Sequence, residues 1–242
     1  MEPAAFAGLQ SSMPGTESID FARPIPLFPL ANVVLLPHGA VPLHVFEPRY
    51  TAMVRDALDS KGIFALATFQ GQQWRSDYFG APPLRPCVAV AHILRYRQLP
   101  DGRYNLLCQG IARARIVEEM TPTADGYRMA YLESIKREPA MELDLEAVRL
   151  RIEKHLRDPA LQSLAHIEKA RNLVNQELPT TALVDLAALL LCRHVEDRYA
   201  VLSEPDALAR AHWFDRYLSE IRWCLRRVEN QAAASPDGLP LN

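Results

Sequence analysis

The sequence predicts an α+β protein, a mostly antiparallel β-structure carrying one helix followed by a helical bundle. Three observations predict it. Up to about Arg137 the chain is a series of short apolar runs broken by proline and glycine. After Pro139 the apolar residues recur at helical spacing as far as about Asn230. At 242 residues, 49% hydrophobic and 23% charged, the chain is long enough to build a core in each half and is neither fibrous nor wholly disordered. The expected organisation is a disordered tail over 1–20, a β-rich subdomain over 21–137, a helical subdomain over 138–230 and a second disordered tail over 231–242.

Each element has a local reason. Pro24, Pro26, Pro29, Pro37 and Pro42 suit edge strands and turns, because proline cannot donate to a ladder. Asn32 to Leu36 reads as a strand, and Val41, Leu43 and Val45 alternate with Pro42, His44 and Phe46 in the next. Glu47 and Pro48 then open a helix whose Tyr50, Met53, Val54, Ala57 and Leu58 share one face. Ile63 to Phe69 is strand-like. Cys87 to Gln98 and Tyr104 to Gln109 form a hairpin about Leu99 to Arg103, where Asp101-Gly102 accepts the positive φ of a tight turn. Ala112 to Ile116 and Arg128 to Ile135 are further strands.

In the second half Leu145, Val148, Ile152 and Leu156 make one helical stripe, and Ile167, Ala170 and Val174 another. Ala182 to Cys192 is apolar almost all round and belongs in the middle of a bundle. The last helix is expected to start at Ser203, with Ala211, Phe214, Leu218, Ile221, Leu225 and Val228 as its seam.

Composition excludes several function classes. The formal charge of −2 supplies no general field for DNA or an anionic membrane. The longest apolar run, interrupted by Asp185, is about half the roughly 20 residues a membrane helix needs. Met1 to Ala22 contains no Lys or Arg, so no secretory leader is read there, and a cytoplasmic location is expected. Cys87, Cys108, Cys192 and Cys224 show no C-x-x-C pair, which points to buried reduced thiols without metal. Nucleotide-binding glycine loops, the G-x-S-x-G elbow and H-E-x-x-H are absent from the sequence, and no catalytic residue or cofactor is assigned. His44 and Glu47 straddle a strand end and a helix start, with no third ligand in view, and are read as structural.

The segments Pro26–Leu30 (PLFPL), Val33–Pro37 (VVLLP) and above all Pro42–Tyr50 (PLHVFEPRY) followed by Met53 and Val54 resemble the opening of the Lon protease N-terminal, substrate-binding domain family. Leu99–Arg103 (LPDGR) and Gly110–Ile116 (GIARARI) are similar to that family's aspartate-glycine hairpin and its following strand. The chain departs from the pattern at Ala114, at His92 and in the loop from Ser76 to Pro86. The resemblance implies a PUA-like β-fold followed by a helical bundle, in a free-standing member without ATPase or peptidase domains. It further implies a non-enzymatic recognition module that binds unfolded or tagged polypeptide, or a protein partner.

Within that frame Trp74, Tyr78, Phe79 and Leu84 are the candidate contact residues. They lie in a loop rich in exposed-type aromatics, expected to wall a groove where the sheet half meets the helices. Arg95, Arg97, Arg113 and Arg115, interleaved with Tyr96 and Tyr104, support an alternative RNA-binding reading. Pro42, His44, Glu47, Pro48, Arg49 and Tyr50 are expected to fix the strand-to-helix corner. The oligomeric state stays open.

Overall fold

Among residues 19–78, 80–135 and 141–234, which the computed structural model describes, the alternating runs of the first half become strands and the periodic runs of the second become helices. In chain order the elements are β1 (Ile25–Leu30), β2 (Ala40–Val45), α1 (Pro48–Leu58), β3 (Ile63–Thr68), β4 (Cys87–Gln98), β5 (Tyr104–Glu119) and β6 (Arg128–Ser134). They are followed by α2 (Glu142–Leu156), α3 (Ile167–Val174), α4 (Thr180–Leu191), α5 (Val195–Ser203) and α6 (Ala207–Ala234). The chain divides into two compact units, one of Met1–Arg137 with His194–Pro205 and the other of Glu138–Arg193 with Asp206–Asn242.

In the first unit the sheet order is β2-β5-β4-β3-β1-β6, and β6 pairs with β5 as well as β1. The strands β5, β4, β3, β1 and β6 therefore close on themselves, while β2 extends the sheet beyond β5. All pairings are antiparallel except β1 with β3. Leu27, Ala65, Ala67, Val88, Val90, Ala112, Ala114, Ala130 and Leu132 fill the interior. Helix α1 buries Tyr50, Met53, Val54 and Ala57, and the Tyr50 ring lies 4.6 Å from that of Phe28.

Three expectations in this unit are corrected. Asn32 to Leu36 is not a strand: Val34, Leu35 and Leu36 are buried, but only Pro37 bridges to a neighbour, Gly110. The apolar run supplies side chains to the core without a partner strand for its backbone. The stretches expected as separate strands at 104–109 and 112–116 are one strand, β5, which passes close under this segment at Gly110. A Cβ at Gly110 would collide with the Leu36 carbonyl oxygen, so only glycine allows the approach. The unit also carries a second helix, α5. The Tyr199 hydroxyl accepts the Cys87 backbone N–H at 3.0 Å, and the Arg85 guanidinium stacks over the Tyr199 ring at 4.6 Å and pairs with Glu196 at 2.5 Å. Helical period marks α5 as a helix, but only these contacts decide what it packs on.

In the second unit α2, α3, α4 and α6 pack on one another. The expected α2 stripe of Leu145, Val148, Ile152 and Leu156 is buried. Helix α4 buries Ala182, Leu183, Val184, Ala187, Ala188 and Leu191, and its Asp185 lies 3.9 Å from buried Arg210 of α6. Helix α6 begins at Ala207 rather than at Ser203. Glu204, preceding Pro205, is held extended at ψ 113°, which ends α5, and the Asp206 carboxylate accepts the Ala209 N–H at 2.8 Å. The expected seam of α6 is buried at Ala211, Phe214 and Leu218 but reaches 63% exposure by Val228.

Ile19 is buried and 231–234 are helical, within the spans expected as tails; 1–18 and 235–242 lie outside the described residues. Cys87, Cys108 and Cys192 are buried thiols outside any disulfide, and burial pushes Cys108 up to about 12; Cys224, expected to be buried, is exposed on α6. No described helix is long and apolar enough to cross a membrane.

Candidate recognition site

The segment Pro42–Tyr50 divides between two tasks. Its inward residues Leu43, Val45 and Tyr50 are buried in the core. Glu47 stands extended at φ −73°, ψ 135° before Pro48, the first residue of α1. The Glu47 carboxylate does not cap the helix. It accepts the Tyr78 hydroxyl at 2.5 Å and the Arg49 Nε at 3.2 Å. The Arg49 guanidinium in turn lies 4.6 Å from the Tyr50 ring and 5.0 Å from that of Tyr78. Burial and the neighbouring Glu47 carboxylate both hold the Tyr78 phenol above its ordinary range. The 74–84 loop is thereby tied to the strand-to-helix corner.

Three of that loop's large side chains also turn inward, while Arg75, Ser76, Asp77, Gly80, Ala81 and Pro83 are exposed. The Trp74 ring stacks on Phe69 at 5.6 Å and 13°, Tyr78 meets Phe69 edge-on at 6.1 Å, and Leu84, 8% exposed, bridges to Phe69. These aromatic and aliphatic surfaces extend one end of the sheet core. Phe79 lies outside the described residues.

The four arginines of the RNA reading are not gathered. Arg95 and Arg97 pair with Leu107 and Asn105 near the hairpin turn, whereas Arg113 and Arg115 pair with Ala89 and Cys87 at the far end of the same ladder. Leu107 and Arg113 are separated by about 20 Å of extended chain. Arg115 also has Glu133 at 3.7 Å. Among the described residues no group of three or more His, Cys, Asp or Glu side chains is placed to hold a metal ion. His44 and Glu47 do not act as a pair, since each is engaged elsewhere.

The outward half of the motif builds a surface that lies outside the candidate contact residues Trp74, Tyr78, Phe79 and Leu84. Pro42 and His44 are exposed, and beyond them Phe46 is 62% exposed. Across the ladders Pro42 faces Leu107, which faces Arg95; His44 faces Asn105, which faces Arg97. Directly opposed residues share a face of the sheet, so these two rungs form one outer face over β2, β5 and β4. His44 Nδ1 lies 2.7 Å from Asn105 Oδ1 and Nε2 lies 3.3 Å from Arg103 Nη1. A guanidinium only donates, so Nε2 accepts and Nδ1 carries the proton. The fixed imidazole stacks against Phe46, ring centroids 6.0 Å apart. The clue in the sequence was the phase of Phe46: it follows Pro42 and His44 on the outward side of the alternation, where folding alone gives no reason for an aromatic.

The edge of this face is guarded. The Gly110 N–H donates to the Gly39 carbonyl at 2.9 Å, in line with the register in which Ala40 faces Gln109. Bonded and non-bonded pairs alternate in an antiparallel ladder, so Val41, Leu43 and Val45 turn their backbone to β5 while Ala40, Pro42 and His44 turn theirs to the open edge. Pro42 removes a donor from the middle of that edge, which discourages addition of another strand.

Comparison with known proteins agrees with this architecture. Residues 24–214 match the family described as the ATP-dependent protease La (LON) substrate-binding domain. Lon protease 2 of Myxococcus xanthus is 26% identical over 193 residues, which cover 79% of this chain and 23% of that protein. Lon protease 2 of Bdellovibrio bacteriovorus is 27% identical over 232 residues, 90% of this chain and 27% of that protein. The chain thus spans about a quarter of the length of these curated relatives. The fold is shared with a Lon N-terminal domain protein from Xanthomonas campestris (TM-score 0.56, 21% identity, covering 78% of this chain and 95% of that one). It is shared also with the N-terminal domain of the Mycobacterium avium complex Lon protease (TM-score 0.60, 17% identity, covering 81% and 98%). With the profile match covering most of its length, this chain belongs to the Lon substrate-binding domain family.

Proposed function

We propose that the chain is a non-enzymatic recognition module, a PUA-like β-unit with a helical bundle, that binds exposed segments of unfolded or tagged protein on the outer face of β2, β5 and β4. The observation that carries this reading is Phe46, a large aromatic held outward at 62% exposure beside an immobilised His44. Holding an aromatic in water gains nothing for the fold, whereas a rigid aromatic anchor with a polar surround is what protein recognition uses. Trp74, Tyr78 and Leu84 serve the site indirectly in this reading, by bracing the corner from which β2 projects. Four cysteines outside any disulfide suit a reducing cytoplasm. RNA binding has less support, because the arginines it needs lie at opposite ends of the β4–β5 ladder.

The test is fluorescence anisotropy of a labelled, permanently unfolded protein titrated with this chain at physiological salt. Saturable binding that weakens about tenfold in Phe46→Ala, an anchor-sized loss, is expected. Binding that Phe46→Ala leaves unchanged would remove this face from the account.

A further inference from the structure

We infer that the outer face of β2, β5 and β4 selects extended segments that carry acidic side chains at alternate positions beside an apolar anchor. This rests on the polypeptide-recognition reading and names the class of substrate it favours. Arg95 and Arg97 are both exposed and stand two residues apart on β4. Their registers with Leu107 and Asn105 place them on the same side as Pro42 and His44. Side chains on one face of a strand repeat at about 6.7 Å. An extended peptide has the same repeat, so carboxylates at positions i and i+2 match the two guanidiniums without bending the backbone.

The remaining groups on the face sharpen the match. Arg103 is committed, its Nη2 lying 2.6 Å from Asp101 and its Nη1 3.3 Å from His44, so it orients the imidazole and is largely neutralised. Arg95 and Arg97 bring two exposed guanidiniums to the face, on a chain whose overall charge is −2. Phe46 and the half-buried Leu107 supply the apolar part, and Pro42 at the guarded edge leaves the reading to side chains rather than to backbone pairing. Exposed cationic groups attract carboxylates through a field that salt screens within about 8–10 Å. The selectivity therefore has a salt signature that apolar anchoring lacks.

The experiment uses the full chain and two fluorescent peptides of about a dozen residues with the same leucine and tryptophan anchors, one bearing Asp-x-Glu and the other Asn-x-Gln. Anisotropy is read at about 50 and 300 mM salt for the wild type, for the Arg95→Gln/Arg97→Gln variant and for Phe46→Ala. The expected result is roughly tenfold tighter binding of the acidic peptide at low salt, an advantage lost at high salt and in the double variant, with Phe46→Ala weakening both peptides. Equal affinity for the two peptides, still sensitive to Phe46→Ala, would overturn the acidic preference and leave polypeptide recognition standing. Failure of both peptides to bind would overturn both readings. Displacement of the acidic peptide by an RNA oligonucleotide that binds more tightly, through the same arginines, would overturn the assignment in favour of nucleic acid.

Discussion

The 74–84 loop and the outer face of β2 meet at the same nine-residue segment, Pro42–Tyr50, yet they dispose of their aromatic rings in opposite directions. Trp74 and Tyr78 close on Phe69, and the Tyr78 hydroxyl reaches Glu47, so the loop's two described rings, each half-buried, have partners within the molecule. Phe46, one residue from Glu47, is left in water. The two regions show that aromatic content in a loop does not identify a contact surface. What matters is whether the fold supplies a partner for each ring. Substitutions on the loop side should therefore act on stability, and substitutions on the face should act on binding.

The largest effect is expected from Glu47→Ala, which leaves the Arg49 guanidinium and the Tyr78 hydroxyl without their shared acceptor. Both Arg49 and Glu47 side chains are less than a fifth exposed, so the loss should be about 2–3 kcal/mol, at or below the low end for breaking a buried pair. Urea unfolding followed by circular dichroism measures it; a loss under about 0.5 kcal/mol, as for an ordinary surface substitution, would show that the corner is not held by this carboxylate. Tyr78→Phe removes only the hydroxyl and should cost about 1–2 kcal/mol, since the acceptor is charged. It should leave polypeptide affinity unchanged, and an affinity that fell without a stability change would return the loop to the contact surface.

A smaller effect follows from pH. Burial holds the His92 ring below its ordinary pKa, and its buried Nδ1 has no hydrogen-bond partner among the described residues. In the other unit burial and the Arg222 charge do the same to His155, against the opposing pull of Asp215 and Asp158. The unfolded chain takes up protons near pH 6.5, before either folded-state ring does. Stability is therefore complete above about pH 7 and declines as pH falls through 6.5 toward the folded-state values, in a window above that of the carboxylates. His92→Asn should flatten part of the slope between about pH 7 and 5.5, and His155→Asn another part. Unchanged slopes in both variants would refute the assignment. The smallest stability effect belongs to Phe46→Ala, within about 0.5 kcal/mol, as befits a ring with no interior partner; a loss above about 1.5 kcal/mol would mean that Phe46 is structural.

Much of the fold was legible because local chemistry repeats. The alternation at Val41, Leu43 and Val45, the Leu99–Arg103 turn with Gly102 at φ +84°, and the change of period near Pro139 are each set by neighbours in the chain. What was not legible depends on distant partners. Asn32 to Leu36 has strand composition but no strand beside it, and α5 has the period of its neighbours but packs through Tyr199 and Arg85 on the sheet unit. The inward turn of Trp74 and Tyr78 needed Phe69 and Glu47, which lie 5 to 31 residues away. Phe46 was visible as a phase in the alternation; its exposure became meaningful only once β2 stood at the end of the sheet.

The most direct test of the recognition face is site-specific photocrosslinking to a labelled unfolded protein. A benzophenone side chain is placed either at Phe46 or at the exposed loop residue Ala81, in otherwise unaltered chain. The account predicts a crosslinked product from position 46 that excess unlabelled unfolded protein competes away, and none from position 81. Crosslinking from position 81 with none from position 46 would contradict it and place recognition on the loop.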